Sequence, residues 1–119
     1  MKEFSEVTGL SAHTIRYYEK IGLLRHIERT KSGHRTFSKN DLVWIEFITR
    51  LKQTGMPLQQ ILKYADLREK GNSTAIARMD LLKHHSEALE EKLRQETQHL
   101  KKLKEKIEYY ENLILSQNA

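Results

Sequence analysis

From Met79 to Ile114 the chain repeats itself in threes and fours. Met79, Leu82, Ser86, Leu89, Leu93, Glu96, Leu100, Leu103, Ile107, Tyr110 and Ile114 alternate three and four residues apart without a slip, and nine of these 11 positions are apolar. A mean period of 3.5 keeps side chains on one stripe of an α-helix, so the spacing predicts a heptad seam about five heptads long. No Gly or Pro follows Gly71, so nothing interrupts a helix from about Thr74 to Ser116, roughly 60 Å long at 1.5 Å per residue. A lone helix of that length would leave its apolar stripe in water. The seam needs a partner, and a second copy of the chain is the simplest one. The expected dimerisation residues are Met79, Leu82, Leu89, Leu93, Leu100, Leu103, Ile107, Tyr110 and Ile114. Ser86 and Glu96 put polarity inside the seam, where it can set register or orientation. The spacing leaves parallel and antiparallel pairing equally open.

What precedes this helix has room for one small head domain, which gives an expected division into 1–70 and 74–116. With 38% hydrophobic and 31% charged residues, neither a large core nor full disorder is expected. No apolar run approaches the roughly 18 residues of a membrane span. The start, MKEFSEV, has no apolar signal region, so a cytoplasmic protein with no membrane contact is expected. The chain has no Cys, which removes disulfides, thiolate metal sites and thiol redox chemistry together. No cofactor is expected.

Punctuation marks the head's elements. A first short helix is expected over Lys2 to Thr8, burying Phe4 and Val7 and ended by Gly9. Ser11 can cap a second helix and Gly22 can close it. Two short helices across a Gly-containing turn fit a helix-turn-helix. In LLRHIERTKSGHRTF, the Lys-Ser-Gly turn suggests a hairpin of Ile27–Arg29 against His34–Thr36. Ser38 can cap a third helix, with Asp41 near its positive end, running to about Thr54. Leu42, Trp44, Ile45, Phe47, Ile48 and Leu51 make that helix apolar nearly all round, so it should be the centre of the core. Gly55 stops it, and Pro57 starts a fourth in which Leu58, Ile61, Leu62 and Ala65 fall at helical spacing.

The net charge is +5, and its place matters more than its size. Between His13 and Lys39 stand seven basic residues and two acids, so the whole excess lies in 27 positions. Such a patch is the footprint of a polyanion binder, with a solvated basic surface as the plainer alternative. On the second helix His13, Arg16, Tyr17 and Lys20 share one face, while Ile15 and Tyr18 share another, followed by Leu23. A helix that buries Ile15 and Tyr18 and offers Arg, Tyr, His and Lys outward suits the DNA major groove, where such side chains reach base edges and phosphates.

These residues resemble a known family. TIRYYEKIGLL, GHRTFS and DLVWIEFITRLKQTGMPLQQI are similar to the MerR family of transcription regulators, whose hallmarks are an R-Y-Y helix followed by G-L-L, a G-Y-R-x-Y wing and D-L…F-I…G-F/M-x-L-x-x-I. The likeness runs from residue 1 to about 65, and the long heptad helix fits as well. It implies a mainly α fold: a winged helix-turn-helix head followed by a long C-terminal helix in a dimeric, antiparallel coiled coil. It places Arg16 and Tyr17 in or beside the major groove and Arg35 of the wing on the DNA backbone. The expected DNA contacts are Ser11, His13, Thr14, Arg16, Tyr17 and Lys20 from the helix and its start, and Arg29, Lys31, His34 and Arg35 from the hairpin. The resemblance further implies a homodimer on a pseudo-palindromic promoter site, bending and untwisting of the DNA, and RNA polymerase as a partner at the promoter.

Several positions depart from the family's pattern. The wing has His34 and Phe37 where the family usually has Tyr; His34 can still donate to phosphate, whereas Phe37 is expected to pack. The loop after Leu24 has Ile27 near the family's usual Pro. The family typically opens with a short strand, which here falls at Met1 and suggests a slightly trimmed start. Without Cys, the mercury, copper, zinc and redox versions are disfavoured, and the general look is nearest to small members associated with aldehyde stress.

Other readings are weaker. His84 and His85 are adjacent and diverge on a helix, so the i, i+4 spacing of a helical zinc pair is missing, and no metal site is expected. No nucleophile–base constellation suggests an enzyme. A coiled-coil adaptor whose basic head binds protein remains an alternative, distinguished by a lack of salt-sensitive DNA binding. A small-molecule effector is left open, its place, where one exists, expected near Tyr64, Leu67 and Met79.

Overall fold

A computed structural model describes residues 2–118, with side chains from Phe4 onward; the strand implied at Met1 lies outside the described residues. In chain order the elements are α1 (Lys2–Thr8), α2 (Ala12–Lys20), the short strands β1 (Glu28–Arg29) and β2 (Arg35–Thr36), α3 (Lys39–Gln53), α4 (Leu58–Glu69), a 3-10 turn (Asn72–Thr74) and α5 (Ala75–Gln117). Two compact units are formed, one up to Leu82 and one from Lys83 onward.

Local chemistry sets the helix ends. The Ser11 hydroxyl accepts from the Thr14 N–H at 3.1 Å, taking one of the free donors of α2's first turn. At α3 the exchange is reciprocal: the Asp41 N–H donates to Ser38 Oγ at 3.1 Å, and the Ser38 N–H donates to the Asp41 carboxylate at 2.8 Å. Gly22, at φ +89, lets the chain reverse so that the Leu23 and Leu24 N–H groups both donate to the Tyr18 carbonyl, at 2.8 and 3.1 Å. Pro57 stands at the N-cap of α4, where its missing N–H costs nothing.

The core of the first unit is built on α3. Trp44, Ile45, Ile48 and Leu51 are buried, together with Phe4 of α1, Ile15 and Tyr18 of α2, Leu23 and Leu24 of the turn, Met56, and Ile61 and Ala65 of α4. Each fully buried Ile or Leu contributes about 1.5–3 kcal/mol by removal from water. The Trp44 indole N–H donates to the Leu23 carbonyl at 2.7 Å, which holds the turn after α2 against α3. Leu81 and Leu82, at the start of α5, are half-buried against the same core. α3 is therefore its centre, as its composition suggests, although Val43 is exposed and Leu42 and Phe47 are half-buried.

Two expectations change. Val7 is 61% exposed, not buried. It lies about 60° round the short helix from Phe4, which takes the inward position by stacking on Phe37 (ring centroids 3.9 Å apart, planes 4° apart). The hairpin is also one residue shorter on each strand, pairing Glu28 with Thr36 and Arg29 with Arg35. His26 adopts φ 57 and Ile27 turns toward the core, so pairing starts only at Glu28. Phe37 is half-buried in its stack, in line with its expected packing role.

The phase of α3 makes a sharp contrast between neighbours. Ile45→Ala should lower unfolding free energy by about 2–5 kcal/mol, and Val43→Ala should stay within about 0.5 kcal/mol of the parent, as read by urea denaturation.

Candidate nucleic-acid interface

α2 presents two faces. Ile15 and Tyr18 are buried, while His13, Arg16, Tyr17 and Lys20 are exposed. The adjacent tyrosines thereby separate in role. Tyr18 is 3% exposed, and its hydroxyl accepts from Lys52 Nζ of α3 at 3.0 Å, with the ammonium 5.1 Å from the ring centroid. Tyr17 is 45% exposed, its ring tilted at 46° to that of Tyr18. Among the described residues Arg16 and Lys20 make no hydrogen bond or ion pair, so both charges face solvent. Ser11 and Thr14 stand at the helix start with their hydroxyls 2.9 Å apart; the Ser11 oxygen is already engaged as the cap.

The hairpin is fastened to this helix by one carboxylate. Glu19 of α2 accepts from Arg35 Nε at 3.2 Å and from Arg35 Nη2 at 3.1 Å, a forked pair, and also from Arg29 Nη2 at 3.1 Å. The side chains of Glu19 and Arg35 are about three-quarters buried, which screens the pair less than a surface bridge. Arg29 Nη1 adds a bond to the Gly33 carbonyl at 3.2 Å across the hairpin turn. Two guanidinium charges share one carboxylate, so the hairpin keeps a net positive surface beside Arg16 and Tyr17. Lys31 and His34, in and after the turn, are exposed. Glu19 carries no signal in the sequence as a site residue: it is an acid in a basic stretch, 10 and 16 positions from its partners.

Arg25 belongs elsewhere. Its guanidinium donates to Asp66 of α4 at 2.5 Å and lies 3.6 Å from Glu69, while His26 Nε2 meets Glu69 at 2.5 Å. The hydrogen bond with His26, helped by the Arg25 charge, holds the Glu69 carboxyl below its ordinary value. One of the seven basic residues in the patch is thus neutralised by α4, and the loop between α2 and β1 is tied down without a proline.

A short turn-linked helix with a basic, aromatic outer face, and a hairpin pinned beside it, define a winged helix-turn-helix, a nucleic-acid-binding class. The family model described as MerR HTH family regulatory protein matches residues 1–67, and that described as MerR, DNA binding matches residues 42–108. The chain belongs to the MerR family of DNA-binding transcription regulators. It is 32% identical over 107 residues to an uncharacterized HTH-type transcriptional regulator of Haemophilus influenzae, covering 90% of this chain and 79% of that one. Among solved structures it resembles a putative MerR family transcriptional regulator from Listeria monocytogenes, with TM-score 0.93, 39% identity, and 98% and 89% of the two chains covered. It also resembles HiNmlR, a MerR family regulator lacking the sensor domain, bound to promoter DNA, with TM-score 0.82, 31% identity, and 92% and 86% covered.

Removing the shared carboxylate should loosen the wing without unfolding the head. Glu19→Gln should cost about 1 kcal/mol of local stability and speed amide exchange of Glu28, Arg29 and Arg35 about fivefold. The exchange of core amides in α3 should stay unchanged, as measured by hydrogen–deuterium exchange with NMR detection.

Proposed function

We propose that the chain acts in the cytoplasm as a homodimeric, sequence-specific regulator that binds a pseudo-palindromic promoter site and works by binding, not by catalysis. The observation that carries this reading is the outward face of α2, with Arg16 and Tyr17 exposed beside a wing held in place by Glu19. In this reading Arg16 reads base edges, Tyr17 meets phosphate, His13, Thr14, Ser11 and Lys20 border them, and Arg29, Lys31, His34 and Arg35 lie along the backbone. The similar regulator bound to promoter DNA supports the reading that this chain binds promoter DNA. For two heads to act at once, the DNA is bent and untwisted, at about 1–6 kcal/mol of deformation that two sets of backbone contacts offset. RNA polymerase at the promoter is then the partner that benefits.

Dimerisation rests on α5. Leu93, Leu100, Leu103, Ile107, Tyr110 and Ile114 are each more than half exposed in the single chain, a stripe too apolar to remain in water. Met79 is also exposed, and Leu89 is half-buried. An antiparallel pair of such helices separates two heads by a fixed distance, which sets half-site spacing.

Arg16→Ala should weaken binding to the palindromic DNA upstream of the protein's own operon by about 1–3 kcal/mol and relax base preference. Arg35→Ala should weaken palindromic and random DNA alike and reduce the slope of log affinity against log salt by about 1. Titrations at two salt concentrations separate these outcomes, and salt-insensitive or absent DNA binding would favour the protein-binding adaptor instead. Leu100→Asp should convert the dimer to monomer in sedimentation equilibrium while leaving the head's unfolding transition in place.

A further inference from the structure

A second concave site lies in the first unit, built from α3, α4 and the first turn of α5. Its floor is aromatic: the Trp44 and Tyr64 rings are 5.8 Å apart with planes 16° apart, and Phe47 stands 5.5 Å from Tyr64 and 6.3 Å from Trp44. Arg68 lies over the Trp44 ring with its guanidinium carbon 4.3 Å from the centroid. Arg78 also lines the cleft, whose volume is about 340 Å³. That is the lower end of the range of small-molecule sites, at roughly 300–1,000 Å³.

The charges here are uncompensated. The acids of α4 that could serve, Asp66 and Glu69, are engaged by Arg25 and His26. Among the described residues neither Arg68 nor Arg78 has a carboxylate within salt-bridge distance. Arg78 Nη2 reaches the Gly71 carbonyl at 3.3 Å, but its Nε is buried with no hydrogen-bond partner. A buried guanidinium nitrogen without an acceptor is costly, and the remedy is an acceptor brought in from outside. A cation is excluded by two guanidiniums. A small inorganic anion would satisfy them but leave the half-buried rings of Phe47 and Tyr64 partly wet. The group that answers both features carries a carboxylate for the arginines and a flat apolar body for Trp44, Tyr64 and Phe47.

We propose that this cleft is a binding site for a small aromatic carboxylate, with Arg68 and Arg78 engaging the carboxylate and Trp44, Phe47 and Tyr64 holding the ring. An occupant braces the start of α5 against α3 and α4. Tyr64 marks the neighbourhood where the sequence leaves room for an effector, whereas Leu67 and Met79 do not line the cleft. The site does not depend on the DNA-binding reading, and its test uses no DNA.

Trp44 is the single tryptophan of the chain, so its fluorescence reports on the cleft directly. The full-length protein is titrated with benzoate, benzamide, benzylamine and inorganic phosphate. Benzoate should change the emission saturably and bind at least about tenfold more tightly than benzamide, with no saturable response to benzylamine or phosphate. Arg78→Met and Arg68→Met should each weaken benzoate at least about tenfold and leave benzamide as it was, while Arg50→Met should change neither. The proposal is overturned if benzoate gives no saturable change or binds no better than benzamide. It is equally overturned if phosphate competes with benzoate at similar concentrations, or if the two arginine variants bind benzoate normally. The comparison of charged and neutral probes on the unaltered protein decides the matter even where a variant fails to fold.

Discussion

The bond from the Trp44 indole to the Leu23 carbonyl, together with that from Lys52 to the Tyr18 hydroxyl, ties α2 and the turn after it to α3. Leu23 follows the Gly22 reversal, and its own N–H is already spent on Tyr18. The turn after α2 is thus held from α2 on one side and from α3 on the other. Both Leu23 and Leu24 are buried as a result, and Ile15 and Tyr18 are drawn inward with them. The outward aim of Arg16 and Tyr17 is the consequence. Their direction is set by what their neighbours bury, since they themselves touch little.

Charge is sorted by a few acids. Glu19 gathers Arg29 and Arg35 toward α2, and Asp66 and Glu69 gather Arg25 and His26 toward α4. The pairs on α4 reach the surface and are worth little there, whereas the Glu19–Arg35 pair is more sheltered. Their effect is geometric. One set brings the hairpin alongside the helix, and the other draws the connecting loop toward α4, leaving Arg68 and Arg78 without acidic company. The positive cleft over Trp44 is a by-product of where the acids of α4 point.

What the sequence makes legible is local or periodic. Ser11 and Ser38 act within three residues, Gly22 and Pro57 act where they stand, and the α3 core follows from apolar spacing. The heptads predict α5 almost to the residue. What escaped depends on partners far along the chain. Glu19 and its arginines are 10 and 16 positions apart, and Arg25 and Asp66 are 41 apart. Val7 was expected inside because Phe4 and Val7 lie near the same stripe, but the Phe4–Phe37 stack decided the phase of a helix too short to bury both. The family's motif could be recognised from RYYEKIGLL and GHRTF because those letters are themselves the turn, the buried pair and the wing.

Phe37 sits between β2 and the Ser38 cap of α3, and its ring lies flat on Phe4. Chain ends are usually the most forgiving place to cut, fuse or tag. Here the first turn of α1 is part of the wing's foundation. A protease that nicked the chain after Phe4, or a fusion that strained α1, would act at a distance on the hairpin. Phe4, near the start of the chain, is a support for the residue that leads out of the hairpin.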